Sequence, residues 1–560
     1  MTQQATCNEG LHEVPFHQVH IEDNFWSPRI ADIQQKTIPD LLRIAEEQGK
    51  LDNLRIIAGL KTDGQICVHN APDSDICKIM EAASYTFALR YDAVLDRTLD
   101  ELITLYAEVQ EEDGYINQMY MLPRDHPQSP EDAESNKFAP GREQRWRGSI
   151  QERPRGIGQL YCAGHLLEAA AAHYRATGKS NFLDIAVKKA EHLYRQFPPG
   201  EEIVYADHPQ AGVGLIKLYE VTGNRKWLQM ADHIVHNGNH ARTPDYGEGE
   251  SWKPLSEQRK AWGHAVRINY LYSAGTDLCR YLDQPKTREA LDRLWHSIVD
   301  RRIYVHGGVG GPAKAEQLAD DWELDPVKTY SECCANIAHG QWNHRLNLLS
   351  GDAAHADIVE IEAYNGGLSG ISLDGTRFFY SNPLTCSTSE RKEKRSGVRE
   401  SYLYCCPAKL PGFVAGISRW IYATAADGLY VNLFISGTAN AEINGQQVQF
   451  KQDTNYPWEG ATRLTILSAP AKGFDIYLRI PCWARSNGPF PSDIYQFADK
   501  QSMDWQVKVN GEPVAGPLQD SGYVRVSHKW QRNDTVELTL PMPVRQVYSH
   551  PNIEYTRDKV

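Results

Sequence analysis

Apolar residues recur at three- and four-residue spacing through most of the first 350 positions of the chain. This period is typical of amphipathic helices, and it is clearest in nine stretches. They are residues 76–92, 96–110, 157–175, 180–195, 211–221, 225–237, 259–282, 286–300 and 333–349. The pattern predicts that the chain is mainly helical from Phe25 to about Leu349.

Two neighbouring pairs of predicted helices repeat one another. The pattern Tyr174-x-x-Thr-Gly-Lys-x-x-Phe-Leu-x-x-Ala186 returns as Tyr219-x-x-Thr-Gly-Asn-x-x-Trp-Leu-x-x-Ala231, at an offset of 45 residues. A repeat of about this length built from two helices is typical of stacked helical hairpins, in which each Thr-Gly ends the first helix. Periodicity leaves open whether the hairpins form an open stack or a closed ring.

The hydrophobic period shortens to two beyond about residue 420, which indicates strands. Short alternating runs separated by turn residues predict a β-sandwich. They are residues 429–435, 441–444, 462–467, 474–480, 505–510, 523–526 and 535–540. Residues 363–410 also alternate around an Asp-Gly turn, so we expect hairpin-like strands there.

These changes divide the chain into four predicted segments. Residues 1–20 form an extended lead-in that packs on the β-sandwich, residues 21–420 a helical domain and residues 421–541 the sandwich. Residues 542–560 begin a further extended run. A chain of 560 residues is too long for one hydrophobic core, which agrees with several domains.

Charge and composition exclude several classes of protein. The net charge of −13 argues against a nucleic-acid partner, which would require a basic face. No apolar run reaches the length of about eighteen residues that a membrane span requires. The first residues, Met1 to Cys7, show no signal-peptide pattern, so we expect a cytoplasmic protein whose 11 cysteines are reduced.

Two cysteine doublets are candidate metal ligands. Glu332 and Cys334 stand two residues apart, and Cys405 and Cys406 are adjacent. One carboxylate and three thiols make a ligand set that Zn²⁺ accepts. Free cysteines are also among the most buried residues, so inert burial remains an alternative for each thiol.

Three histidines lie near the start of predicted helices, at similar points of their hairpins. His165 comes before Tyr174 and His208 before Tyr219, while His264 begins the 263–282 helix. In a closed ring, these imidazoles would line one mouth, where free helix N–H groups also point. A core or capping role is the alternative for each histidine.

Several sequence blocks, in order over most of the chain, resemble glycoside hydrolase family 127, the β-L-arabinofuranosidases with a zinc-bound cysteine at the active site. They are Asp73-Ser-Asp75 with Lys78 and Glu81, Leu160-Tyr-Cys-Ala-Gly-His165, Gly263-His-Ala-Val-Arg267, Glu332-x-Cys334, Tyr364 to Gly375, Phe378 to Pro383, and Tyr404-Cys-Cys-Pro407. The resemblance implies an (α/α)6 barrel catalytic domain followed by a β-sandwich. It also implies that residues 542–560 start a further β-domain that is truncated here.

The resemblance assigns roles to individual residues. It implies that Cys405 is the nucleophile and Glu316 the general acid/base, with Glu323 as the alternative because acidic residues surround Glu316. The implied zinc ligands are Glu332, Cys334, Cys405 and Cys406, and the implied substrate-binding residues are His165, His208, His264 and Tyr380. Cys333 has no matching role, so its side chain should point away from the metal.

Three functions compete at this stage. The first is a retaining exo-glycosidase that releases terminal β-L-arabinofuranose, or a closely related sugar, from arabinose-containing glycans. The second is a sugar epimerase or isomerase, and the third is a non-enzymatic carbohydrate-binding protein with structural zinc. A four-ligand thiolate site favours the first, because epimerases of this kind do not need one. The oligomeric state, including a homodimer, stays open.

Overall fold

The computed structural model describes residues 10–67, 71–122, 159–200, 208–237, 250, 253–311, 316–385, 403–426 and 428–557, the last range without 471, 500, 502 and 515. The predicted lead-in before residue 10, the helix start at 157–158, the hairpin residues 386–402 and the last three residues lie outside the described part. No helix in these ranges is long and apolar enough to cross a membrane.

Nearly all helices of the described residues lie before residue 420. The helices are α1 Trp26–Asp32, α2 Ile38–Glu47, α3 Lys50–Ile57, α4 Pro72–Thr86, α5 Ala93–Val109, α6 Gln118–Met121, α7 Gln159–Thr177, α8 Asn181–Gln196, α9 Gln210–Thr222, α10 Arg225–Asn237, α11 Ala265–Tyr281, α12 Pro285–Val299, α13 Cys333–Ser350, α14 Ala353–Ile361, α15 Cys405–Ala415 and the short α16 Cys482–Arg485. Each of the nine predicted helices is present, whereas the periodicity did not single out α1 to α3, α14 or α15.

The repeated Thr-Gly pairs end helices as expected. Gly178 and Gly223 adopt left-handed backbone angles, with φ of 74° and 68°. Their N–H groups donate to the carbonyls of Tyr174 and Tyr219 at 2.8 Å each. A residue with a Cβ is strained at such angles, so glycine closes both hairpins at little cost.

Six helices contact one another in cyclic order. The order is α4, α7, α9, α11, α13 and α15, and α15 contacts α4 again. Glycines allow the closest approach in this series, since a Cβ on Gly164 of α7 would lie 2.4 Å from the backbone of Gln210 at the start of α9. The helices α2, α8, α10, α12 and α14 each pack against at least one of the six.

The β part consists mainly of two sheets, in which most neighbouring strands are antiparallel. Its strands are β1 His12–Glu13, β2 Val19–Ile21, β3 Tyr422–Thr424, β4 Gly428–Val431, β5 Gly437–Ile443, β6 Gln446–Thr454, β7 Ala461–Ser468, β8 Phe474–Arg479, β9 Tyr495–Phe497, β10 Gln506–Val509, β11 Glu512–Pro513, β12 Tyr523–His528, β13 Thr535–Thr539 and β14 Val547–Ser549. One sheet has the order β1-β3-β4-β8-β12, and the other β11-β10-β13-β7-β6-β5-β2. Thus β1 and β2, near the start of the chain, each complete an edge, and β14 pairs with β9.

The predicted hairpin over 363–410 is wrong in its first and last parts, because Glu362–Gly366 and Leu368–Gly370 form helical turns. Cys405 begins helix α15, whereas Ile371 and Phe378 form an isolated antiparallel bridge. Pro407 lies in the first helical turn, where its missing N–H costs no hydrogen bond. Burial of nearly every following side chain of α15 stabilises the helix over a strand.

A buried arginine joins the helical and β parts. Arg479 of β8 lies 2.6 Å from Asp357 of α14 and also pairs with Glu360 of the same helix. Arg485 contacts the second oxygen of Asp357 at 2.7 Å. Buried charges are retained only with such partners, so these pairs fix the sheet that contains β8 against α14.

Candidate active site

The four predicted metal ligands lie together at the N-termini of two helices. Glu332 precedes α13, Cys334 lies in its first turn, and Cys405 and Cys406 begin α15. Their ligand atoms all lie within 4.8 Å of one another. Cys406 Sγ is 3.5 Å from Glu332 Oε1 and 3.9 Å from Cys405 Sγ.

This cluster could hold a metal ion, and its chemistry is compatible with zinc. Glu332 is buried, and its Oε2 has no hydrogen-bond partner among the described residues. A cation would satisfy that oxygen and would neutralise the soft thiolates. The two helix N-termini also favour negative charge at this point.

The thiols of the cluster differ in acidity. Hydrogen bonds from Cys334 and then Cys406 lower the pKa of Cys405 well below its usual value. Burial raises the pKa of Cys334, of Cys406 and of Glu332 well above the usual values. The protein alone therefore favours one thiolate at Cys405, and a cation would be needed to deprotonate the rest.

Cys333 makes hydrogen bonds outside this ligand set. Its Sγ donates to the carbonyl of Phe379 at 2.9 Å and accepts from Asn382 Nδ2 at 3.1 Å. The segment that binds it is the one that carries Tyr380, whose carbonyl accepts from the Cys333 N–H at 2.9 Å. Cys333 therefore helps to seat Tyr380 beside the cluster.

Tyr380 lies between the predicted nucleophile and the predicted acid. Its hydroxyl is 3.4 Å from Cys405 Sγ and 3.4 Å from Glu316 Oε1. Burial, together with the charge of Cys405, raises the pKa of Tyr380 well above its usual value. The phenol therefore stays protonated and serves as a hydrogen-bond donor.

Glu316 is held in a strained backbone conformation. Its φ is 70°, which non-glycine residues adopt rarely and at a cost of about 1–3 kcal/mol. Its carbonyl accepts from the N–H of Ala265 at 2.7 Å, and its Oε2 lies 3.1 Å from His264 Nε2. These contacts with the start of α11 fix the carboxyl beside Tyr380.

Glu323, the alternative acid, lies in a different environment. Its N–H donates to the carbonyl of Asp320 at 3.1 Å. Its charge acts on Tyr304, where it contributes to a raised pKa. The contacts with Tyr380 and His264 belong to Glu316 and not to Glu323.

The predicted histidines lie close to one another and to the site, but they do not occupy equivalent positions. His264 caps α11 by accepting from the Val266 N–H at 3.2 Å, and His208 precedes α9. His165 lies in the second turn of α7, which agrees with the expected placement near the start of this helix. The 45-residue repeat therefore predicts the helical hairpins, but it does not predict where each imidazole lies relative to its helix.

Aromatic rings hold two of these histidines. The ring centroid of Tyr161 is 4.6 Å from that of His165 and 4.5 Å from that of His208. Burial lowers the pKa of both histidines well below the usual value. Both imidazoles are therefore neutral near pH 7, and each can donate one hydrogen bond and accept another.

A second buried cluster, of which His165 is a member, already contains a cationic side chain. Glu81, His165 and Glu168 have the composition and spacing of a metal site. However, Lys409 Nζ lies 3.1 Å from Glu81 and 3.7 Å from Glu168. The lysine offsets part of the negative charge of the two carboxylates, so we assign the cluster to a buried ion-pair network and not to a metal site.

Two buried lysines near the thiols were not predicted as site residues. Lys50 Nζ lies 2.5 Å from Asp75, and Lys78 Nζ donates to the hydroxyl of Tyr161 at 2.6 Å. The positive charge of Lys78 also contributes to the low pKa of Cys405. Charged residues on a buried helix could have indicated this role, because α4 is buried along its whole length and yet carries Asp75 and Lys78.

A carboxyl group, a phenol and a thiol that face one another beside three histidines are typical of an enzyme active site, and similarity to known families identifies this enzyme as a glycoside hydrolase. Residues 18–419 match the family of β-L-arabinofuranosidase GH127 catalytic domains, and residues 428–542 match the GH127 middle domain. The chain therefore belongs to glycoside hydrolase family 127.

Known relatives agree with this membership. The chain is 28% identical over 540 residues to a non-reducing end β-L-arabinofuranosidase of Bifidobacterium longum subsp. longum, covering 90% of this chain and 76% of that protein. It is 32% identical to a GH127 β-arabinofuranosidase of known structure, with a TM-score of 0.86 and coverage of 98% of this chain and 83% of that protein. A GH127 β-L-arabinofuranosidase of Geobacillus stearothermophilus T6 is also 32% identical, with a TM-score of 0.82 and coverage of 96% and 84%.

Proposed function

We propose that this enzyme is a retaining exo-glycosidase that releases terminal β-L-arabinofuranose from glycans. The names of its relatives support the identity of the sugar. The arrangement of Cys405, Tyr380 and Glu316 supports the mechanism. We also propose that its six inner helices close into an (α/α)6 barrel, which the cyclic contacts from α4 back to α4 support. The division into a barrel over 21–420 and a sandwich over 421–541 is part of the same proposal.

One observation supports the mechanism above all others. The hydroxyl of Tyr380 is 3.4 Å from both Cys405 Sγ and Glu316 Oε1. A retaining glycosidase needs a nucleophile and a proton donor on opposite sides of the scissile bond. Cys405 and Glu316 face each other across one phenol, which suits them to these two roles.

Glu332, Cys334, Cys405 and Cys406 would hold the metal, and their donor set fits Zn²⁺. When bound, Zn²⁺ would keep the sulfur of Cys405 deprotonated and oriented. The orphaned Oε2 of Glu332 agrees with this assignment, because a buried carboxylate oxygen without a partner is costly.

The reaction then requires two displacements at the anomeric carbon. In the first, Cys405 Sγ forms a bond to that carbon, and Glu316 protonates the departing glycosidic oxygen as its bond breaks. In the second, Glu316 takes a proton from water, the water oxygen attacks the same carbon, and the carbon–sulfur bond breaks. Two inversions return the original configuration, so the product retains the β anomer.

The other pocket residues position the sugar in this proposal. His165 and His208 are neutral and buried, and they offer donors and acceptors to furanose hydroxyls. His264 contacts Glu316 at 3.1 Å and orients its carboxyl as well as the sugar. The hydroxyl of Tyr380 stabilises the charge on Cys405 before attack.

Hydrolysis of p-nitrophenyl β-L-arabinofuranoside, followed by nuclear magnetic resonance of the first product anomer, tests the proposal. We expect release of β-L-arabinofuranose by the wild-type protein and by Cys279→Ala, a control that removes a buried thiol outside the ligand set. Cys405→Ala should be inactive. An α product, or equal activity of Cys405→Ala and Cys279→Ala, would contradict the mechanism, and hydrolysis of only other aryl glycosides would contradict the sugar.

A further inference from the structure

A cleft that shares no lining residue with the cysteine cluster contains the side chain of Trp458, which is 72% exposed. The cleft has a volume of about 430 Å³, within the range of about 300–1,000 Å³ typical of ligand pockets. It lies where the β6–β7 turn meets the segment between β2 and α1. Tryptophan carries a large apolar area, so one exposed in a concave site marks an interaction surface.

The indole is presented on a rigid support. The N–H of Trp458 donates to the carbonyl of Asn455 at 3.0 Å, which fixes the turn. Phe25 packs beneath it, with ring centroids 6.3 Å apart at an interplanar angle of 63°. Phe25 in turn lies under the guanidinium of Arg29, 3.9 Å from the ring centroid. A fixed platform loses little conformational entropy when a ligand binds.

The rim of the cleft carries short polar side chains. Asn24 and Asn455 are exposed amides, and Glu22 and Asp23 are carboxylates in the same cleft. No lysine or arginine lines it in the part of the chain that the structure describes. This charge balance opposes anionic ligands and suits a neutral molecule with many hydroxyl groups and one apolar face. Carbohydrate rings have these properties, since their C–H faces stack on aromatic rings and their hydroxyls bond amides and carboxylates.

We propose that the Trp458 cleft is a second carbohydrate-binding site, which holds a neutral glycan chain apart from the Cys405 pocket. The class of ligand rests on the proposed glycosidase function. The site would keep the enzyme on a polymeric substrate between cleavage events and would raise the local concentration of chain ends by tethering. Small substrates that fill only the Cys405 pocket gain nothing from it.

Affinity electrophoresis in gels with soluble arabinogalactan, and in matched gels with neutral linear galactan or acidic polygalacturonate, tests the site directly. We expect at least one neutral polymer to retard the wild-type protein, and Trp458→Ala to bind it about tenfold more weakly, as loss of about 1.4 kcal/mol of stacking implies. Trp458→Phe and Asn24→Ala should show intermediate losses. Tyr548→Ala removes a 42% exposed aromatic side chain from β14 and should behave like the wild type.

Kinetics separate this site from the catalytic pocket. We expect Trp458→Ala to keep the kcat and KM of the wild type on the aryl arabinofuranoside and to lose activity only on the polymer. Unchanged retardation of Trp458→Ala, retardation by polygalacturonate alone, or a changed oligomeric state of Trp458→Ala on size exclusion would overturn the proposal. If no arabinose is released but the Trp458-dependent retardation persists, the proposed function fails while the binding site stands.

Discussion

Replacing Tyr380 by phenylalanine removes one oxygen from the centre of the site. That oxygen lies 3.4 Å from both Cys405 Sγ and Glu316 Oε1, and its proton can stabilise the thiolate. Hydrogen bonds to charged groups contribute about 1.5–3 kcal/mol, and each 1.36 kcal/mol of barrier is tenfold in rate. We therefore expect Tyr380→Phe to lower kcat/KM for the aryl arabinofuranoside by about ten- to 150-fold.

The assay compares steady-state kinetics, metal content and thermal unfolding of the same preparations. Tyr380→Phe should keep the metal content and unfolding temperature of the wild type, because the phenol is not a ligand and the ring stays in place. Tyr330→Phe is the matched control, since the ring centroid of Tyr330 lies 6.2 Å from that of Tyr380. A loss below about twofold, or a parallel loss of metal, would refute the role given to the hydroxyl.

Three further predictions follow from the site and the fold. Glu316→Gln should slow substrates with poor leaving groups about 10²–10⁴-fold and spare activated aryl glycosides, and equal losses on both would contradict its role as the acid. Cys334→Ser should lower zinc content and activity together, and full zinc by elemental analysis would contradict its role as a ligand. Burial raises the pKa of Glu13, but the hydrogen bond with His344 and nearby cations lower it to about 2. Glu13 therefore stabilises the fold above pH 4.5 and loses this contribution, about 3 kcal/mol, as the pH falls towards 2. Calorimetry should show a smaller loss of stability over this range for Glu13→Gln than for the wild type, and equal losses would contradict the assignment.

Much of the fold could be predicted because its signals are local. The three- and four-residue period located the nine helices, and the Thr-Gly pairs marked the ends of α7 and α9. These features depend on side-chain spacing and on the backbone freedom of glycine, both of which a sequence displays. The seven predicted strands were found for the same reason, while β6 was missed because polar residues fill much of its exposed face.

The missed features depend on contacts between distant parts of the chain. Cys405 and Cys406 follow an alternating run that suggested strands, yet burial against α4 makes them the start of a helix. The four-ligand cluster joins segments about seventy residues apart. Residue types and spacing marked its members as candidate ligands, but the role of each thiol came only from the family resemblance. The ion pair between Lys50 and Asp75 depends on contact between α3 and α4, so no local sequence pattern predicts it.

The most direct test of the account is to trap the nucleophile. A cyclophellitol-type epoxide or a bromoacetamide of β-L-arabinofuranose should inactivate the enzyme with one label per chain. Peptide mass spectrometry should place that label on Cys405, whose pKa is the one thiol pKa that the cluster lowers. A label on Cys406 would exchange the roles of two neighbouring thiols, whereas a label on a carboxylate would contradict the thiolate mechanism and leave the metal a structural role.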